Sequence, residues 1–163
     1  PDNRRPVDFT LRGNLLRRIV ESGEDAGGSL IPDLFSRFED GAVKLFLIHR
    51  ALRAREELPD LFCKGSYTPL STSGRWKNNL VAFARNGNAR WSVTAVPRFC
   101  TEVCQAGDLP LGPETWDDTQ VRLPRGVRQW KNMITGENLE GSRILSAGRL
   151  FATFPGALLV DAG

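Results

Sequence analysis

The 163 residues carry a formal charge of +3, with 40% apolar and 25% charged side chains and three cysteines. This is the make-up of an ordinary soluble protein, with enough chain for one good core or two small ones, and no apolar run reaches the roughly 20 residues of a membrane-spanning helix. Acidic and basic residues are interspersed, and the densest basic stretch (Arg122, Arg125, Arg128, Lys131) is interrupted by proline and glycine. A continuous basic stripe is therefore absent, and neither nucleic acid nor membrane is expected as a partner.

The chain opens on Pro1-Asp2-Asn3-Arg4-Arg5-Pro6-Val7-Asp8. Two prolines and two adjacent arginines suit a structured loop with something in front of it, so the chain is expected to be the C-terminal piece of a longer protein. Asp8 or Thr10 can cap a following helix. Leu11, Leu15, Leu16, Ile19 and Val20 recur at helical spacing, and the helix should fail near Ser22-Gly23. Ala26-Gly27-Gly28-Ser29 reads as a flexible link, and Pro32 to Phe38 as a short helix broken by Asp40-Gly41.

The strongest predicted helix runs from Ala42 to Glu57 and ends at Pro59. Leu45, Leu47, Ile48, Ala51, Leu52, Ala54 and Leu58 occupy about half its circumference at 100° per residue, while Arg50, Arg53, Glu56 and Glu57 take the other half. So wide an apolar face predicts a helix wedged between two layers. After Gly65 the pattern turns to strands: Ser66–Leu70, Leu80–Arg85, Arg90–Val96, Gln120–Leu123, Gln129–Ile134, Arg143–Leu145 and Ala157–Val160. Asn86-Gly87-Asn88 is the hairpin signal between the second and third. Helices followed by short strands predict an α+β chain, with a helical segment over 1–64 and an antiparallel β-sandwich over 65–163.

Candidate chemistry is sparse. Cys63, Cys100 and Cys104 with the single histidine, His49, would all have to converge to make a zinc site. Reduced thiols are the expectation, which suits a cytoplasmic location. Asp117-Asp118 and Glu56-Glu57 are adjacent carboxylates, and neighbours on a strand or helix point apart, so no catalytic residue is assigned. Among Trp76, Trp91, Trp116 and Trp130, the setting of Trp76 is the most loop-like, yet packing is expected there as well. His49, at the edge of the apolar face, is expected to pack or to hydrogen-bond.

Three stretches carry a family resemblance: Pro1 to Asp8, Lys44 to Arg50 continuing through Gly65-Ser66-Tyr67, and Trp130 to Glu137. In order and spacing they resemble the maltooligosyl trehalose synthases of the α-amylase clan over nearly the whole chain. The resemblance implies that the helical segment closes a (β/α)8 barrel, and that the first stretch is the loop after the last barrel strand. Asp2, Asn3, Arg4 and Arg5 would then be substrate-binding residues or, for Arg4 and Arg5, a brace between the loop and barrel carboxylates, because barrel active sites gather on the face where such loops emerge. It further implies a maltooligosaccharide substrate, an upstream catalytic barrel as partner, no cofactor and no catalytic metal; the alternative readings are a carbohydrate-binding β-sandwich module and a fragment of another α-glucan-active enzyme of the clan. Helices built to meet an absent barrel would leave Leu11, Leu15, Ile19, Phe35, Phe38 and part of the Ala42–Glu57 stripe bare, so a homodimer of the chain is a further expectation.

Overall fold

The computed structural model describes residues 6–23 and 27–163. Asp2, Asn3, Arg4 and Arg5 lie outside the described residues. Helix α1 (Phe9–Glu21) begins where predicted: Asp8 Oδ1 accepts the Leu11 N–H at 2.8 Å, which satisfies one of the free donors of the first turn. Helix α2 (Gly27–Ser36) then corrects the expectation of a flexible link, because Gly27 and Gly28 begin a helix. Burial supplies the reason. Ile31 and Leu34 are fully enclosed beside α1 and α3, and packing outweighs the poor helix propensity of two glycines.

Gly41, in the left-handed region, ends a 3-10 turn and starts α3 (Ala42–Glu57), whose bounds match the prediction. A short helix, α4 (Pro59–Cys63), follows directly. The strands come next: β1 (Ser66–Pro69), β2 (Thr72–Ser73), β3 (Leu80–Gly87), β4 (Arg90–Pro97), β5 (Gln120–Arg122), β6 (Gln129–Asn132), β7 (Asn138–Glu140), β8 (Ile144–Ser146) and β9 (Ala157–Asp161). Short helices α5 (Gly112–Trp116) and α6 (Ala147–Leu150) lie between them. All pairings are antiparallel. They build a six-stranded sheet, β1-β3-β4-β9-β6-β7, and a three-stranded one, β2-β5-β8.

The predicted hairpin exists, with its turn two residues further on. Asn86 and Gly87 still pair in the ladder, with Trp91 and Arg90. Asn88 and Ala89 make the turn, both at positive φ. Gly87 is used for close approach instead: a Cβ there would lie 3.3 Å from Leu61 Cα and 3.4 Å from Gly65 Cα. The glycine lets α4 rest on the end of β3.

Alternation along the strands divides the interior. Ala82, Ala84, Val93, Ala95, Ala157 and Leu159 join Trp116, Val121, Trp130 and Phe151 in one apolar cluster, shared between the two sheets. Leu158 points the other way. It meets Ile134 and Phe154 together with Leu15, Ile19, Ile31, Leu34, Val43 and Phe46 from the helices. The helices therefore lie against one face of the large sheet, and their core includes residues from beyond position 65. No helix among the described residues is long and apolar enough to cross a membrane.

Candidate docking face

Helix α3 has two apolar sides, and the fold covers one of them. Val43, Phe46, Arg50 and Ala54 face the core. Leu47, Ile48 and Leu52 are bare, Ile48 being 44% and Leu52 58% exposed. This corrects the predicted orientation in part: Arg50, assigned to the polar half, is 9% exposed, and Phe46, outside the predicted stripe, is fully enclosed. Arg50 tolerates the position because its Nη2 donates to the Gly23 carbonyl at 2.9 Å and its guanidinium lies 5.3 Å from the centre of the Phe46 ring. The long stem packs while the head keeps polar partners.

The bare side continues onto α1. Leu16 joins Leu45, Ile48 and Leu52 around an open hollow of about 420 Å³, with Glu56 and Arg53 at one end. Arg12 and Lys44 border Leu45 and Ile48 at the other end. Phe9, Leu11 and Val20 of α1 are exposed as well, as is Phe38, whereas Leu15 and Ile19, expected to be bare, are buried in the helical core. A second groove, about 440 Å³, runs between α3 and the sheet; Leu47, Leu52, Phe62, Phe83, Val96 and Phe154 line it, and its charged lining residues are Arg55 and Arg85. Contiguous apolar surface of this kind makes the side a candidate for docking.

His49 lies where this face meets a smaller cavity, about 370 Å³, that it shares with Ile19, Arg50, Glu57, Lys131 and Met133. Its Nδ1 is enclosed and finds no hydrogen-bond partner among the described residues. Burial lowers its pKa below the ordinary 6.5, and the Arg50 and Arg53 guanidinium groups lower it further. The folded chain therefore holds His49 neutral where the unfolded chain takes up a proton. Stability is kept above pH 6.5 and is lost as pH falls from there toward the folded pKa. Denaturant titrations across that acid window are expected to show a shallower loss for His49→Gln than for the parent chain. Equal slopes would remove His49 from the pH dependence.

The other candidates are structural. Asp118 Oδ1 accepts the Arg75 N–H at 2.7 Å, and Asp117 lies 3.6 Å from the Arg75 guanidinium. Glu56 is paired with Arg53 at 2.8 Å. Trp116 and Trp130 are fully buried, and Trp116 donates to the Pro110 carbonyl at 2.8 Å. Trp76 and Trp91 pack half-buried against the same core, and the Arg75 guanidinium covers Trp76 at 4.7 Å. Trp116 and Trp130 are thus core residues, and Trp76 and Trp91 pack at its edge. Cys63 is exposed, Cys100 and Cys104 are half-buried, and burial raises the Cys104 thiol pKa. Among the described residues no three His, Cys, Asp or Glu side chains gather as metal ligands. The docking face itself was signalled in the sequence by the width of the α3 stripe, but Leu16 and the α3–sheet groove were not.

Comparison with known proteins gives one kind of match. Two Mycobacterium tuberculosis proteins, from strains CDC 1551 / Oshkosh and ATCC 25618 / H37Rv, are each 30% identical over 160 residues and carry the provisional name maltooligosyl trehalose synthase. The alignment covers 98% of this chain and 16% of each relative, so the chain spans about a sixth of their length. No protein-family model matches the chain, and no solved structure does.

Proposed function

We propose that the chain is the closing, non-catalytic part of a cytoplasmic α-glucan enzyme of the maltooligosyl trehalose synthase kind. The observation that carries this reading is the end-to-end similarity: 30% identity over 98% of the chain to proteins about six times longer. On this reading residues 1–64 end a (β/α)8 barrel and residues 65–163 form a β-sandwich that braces it. The bare side of α1 and α3 is the surface that the longer protein covers. A helix with apolar residues on two sides fits a position between two layers, and one layer is already in place.

The parent reaction rearranges the reducing-end α-1,4 bond of a maltooligosaccharide into an α,α-1,1 bond. Such retaining chemistry needs two carboxylates about 5–5.5 Å apart across the scissile bond. Asp117 and Asp118 are held by Arg75 and Glu56 by Arg53, and the reacting carboxylates are assigned to the rest of the longer protein. Asp2, Asn3, Arg4 and Arg5 are assigned to the loop that touches the sugar, where arginine forks and a carboxylate suit a ring of hydroxyls. No cofactor enters this reading.

The test uses maltopentaose. The longer polypeptide is expected to remove reducing ends without releasing glucose, and the 163-residue chain is expected to leave the sugar unchanged. Turnover by the chain alone would move the chemistry into this segment. Release of shorter reducing sugars by the longer polypeptide would replace the rearrangement with hydrolysis.

A further inference from the structure

The groove between α3 and the large sheet opens onto strands that are apolar on both faces. Along β3, Leu80, Ala82 and Ala84 enter the core shared with the second sheet, while Val81 and Phe83 point to the helix side. On that side the register sets Val81 beside Val96 of β4 and Phe83 beside Pro69 of β1. The ring of Tyr67 in β1 lies 4.8 Å from that of Phe83, centre to centre. Leu158 of β9 is buried under the helices on this face, whereas Tyr67, Pro69, Val81 and Val96 are exposed. A sheet face that meets water reads polar, and strands apolar on both faces belong between two layers. Over β1, β3 and β4 the second layer is therefore incomplete.

The charges of the groove are all of one sign. Arg55 of α3 and Arg85 of β3 line it, and no carboxylate does. Arg55 Nη2 lies 3.6 Å from Cys63 Sγ, and Arg85 Nη1 donates to the Gly65 carbonyl at 3.4 Å. The two guanidinium groups thus reach the same stretch, Cys63 to Gly65, and mark one end of the groove. Neither pairs with an Asp or Glu among the described residues. A purely apolar layer would take both cations out of water without a partner, and a buried unpaired charge is strongly unfavourable. On the reading that the chain closes a longer protein, we propose that a segment of that protein fills this groove and continues over Val81 and Val96. The segment is apolar along most of its length and carries Asp or Glu where it meets Arg55 and Arg85. Relatives about six times longer have ample chain to supply it. Carboxylates there accept paired N–H···O bonds from the planar guanidinium forks. A second copy of the chain does not meet the requirement, since two such grooves placed face to face set guanidinium against guanidinium.

The test compares the longer polypeptide with the 163-residue chain. Phenylglyoxal, which modifies accessible guanidinium groups, is applied to both without any substitution, and peptide mass spectrometry reads Arg55 and Arg85. Both should react at least about tenfold more slowly in the longer polypeptide, because a charge-assisted pair must open before the reagent enters. Arg55→Lys and Arg85→Lys then keep the charge and supply an amine. A carbodiimide joins that amine to a touching carboxylate as an amide, with loss of water, and far-ultraviolet circular dichroism shows that each variant folds. The linked peptide is expected to lie outside these 163 residues and to carry its acid among apolar neighbours. Equal phenylglyoxal rates, a link between two copies, or a link only to an acid of this chain would each overturn the proposal. Protection without any link would overturn it too, since the layer would then bring no carboxylate. Rearrangement of maltopentaose by a longer polypeptide whose Arg55 and Arg85 stay fully reactive would remove the occupant and leave the glucan reading standing. Protected, linked arginines in a polypeptide that only hydrolyses maltopentaose would do the reverse.

Discussion

Replacing Phe46 with alanine is expected to lower the unfolding free energy by about 3–5 kcal/mol. The ring is fully enclosed, and its centre lies 6.0 Å from that of Phe154, which in turn stacks on Phe35 at 5.5 Å. Alanine would open a cavity between α3 and the sheet and would strip Arg50 of the ring beneath it. Phe46 comes from the helical segment and Phe154 from the β-rich one, so the loss should be felt by both. A single denaturation transition, followed by tryptophan fluorescence and by far-ultraviolet circular dichroism, should move as one. Leu52→Ala, at an exposed position of the same helix, should stay within about 0.5 kcal/mol of the parent. Two separate transitions, with only one displaced by Phe46→Ala, would show that the shared core does not couple the segments.

The second large effect is expected at Gly65. A Cβ there would stand 2.2 Å from the Leu61 carbonyl oxygen and 3.1 Å from that of Asn86. Both obstacles are backbone, so no side-chain rotation relieves the clash, and Gly65→Ala should cost about 3 kcal/mol or more. Gly13→Ala is the matched control. Gly13 lies inside α1 with nothing within 4 Å of its added Cβ, and alanine there should stabilise the helix by about 0.5–1 kcal/mol. Thermal melts of the two variants should therefore move in opposite directions. A Gly65→Ala chain as stable as the parent would mean that α4 and β3 can separate without penalty.

These residues also mark where sequence reasoning succeeds and where it stops. The bounds of α3 were legible because Gly41 and Pro59 punctuate the chain and the repeat between them is helical. Which side of that helix meets the core was not legible. Periodicity reports an apolar face, but it carries no information about which half a neighbouring layer covers. Arg50 shows the limit most clearly: its burial depends on the Gly23 carbonyl, which comes from a different turn of the chain. Gly87 was read as a turn residue because Asn-Gly favours turns locally, whereas its use is set by α4 from a distance. The second half of α2 lies within the helix predicted from Pro32, but its start at Gly27 was missed for the same reason, since Ile31 and Leu34 draw two glycines into the helix through contacts that a local pattern does not contain. The three residues of β7 are too few to show alternation. The proposed sugar-contacting residues, Asp2 to Arg5, came from the family resemblance alone and fall outside the described residues.

Strand β9 follows every other strand in the chain, yet it sits inside the large sheet between β4 and β6. During synthesis the ribosome therefore delivers two separate pieces, β1-β3-β4 and β6-β7, that have no common edge until residues 157–161 emerge. Both pieces wait with open hydrogen-bonding edges, the condition that invites pairing with a neighbouring nascent chain. The last strand also carries the residues that join the two interiors, Leu158 toward the helices and Leu159 toward the second sheet. Completion of the large sheet thus waits for β9, and the helices, although they precede the strands in the chain, gain their floor only when β9 emerges.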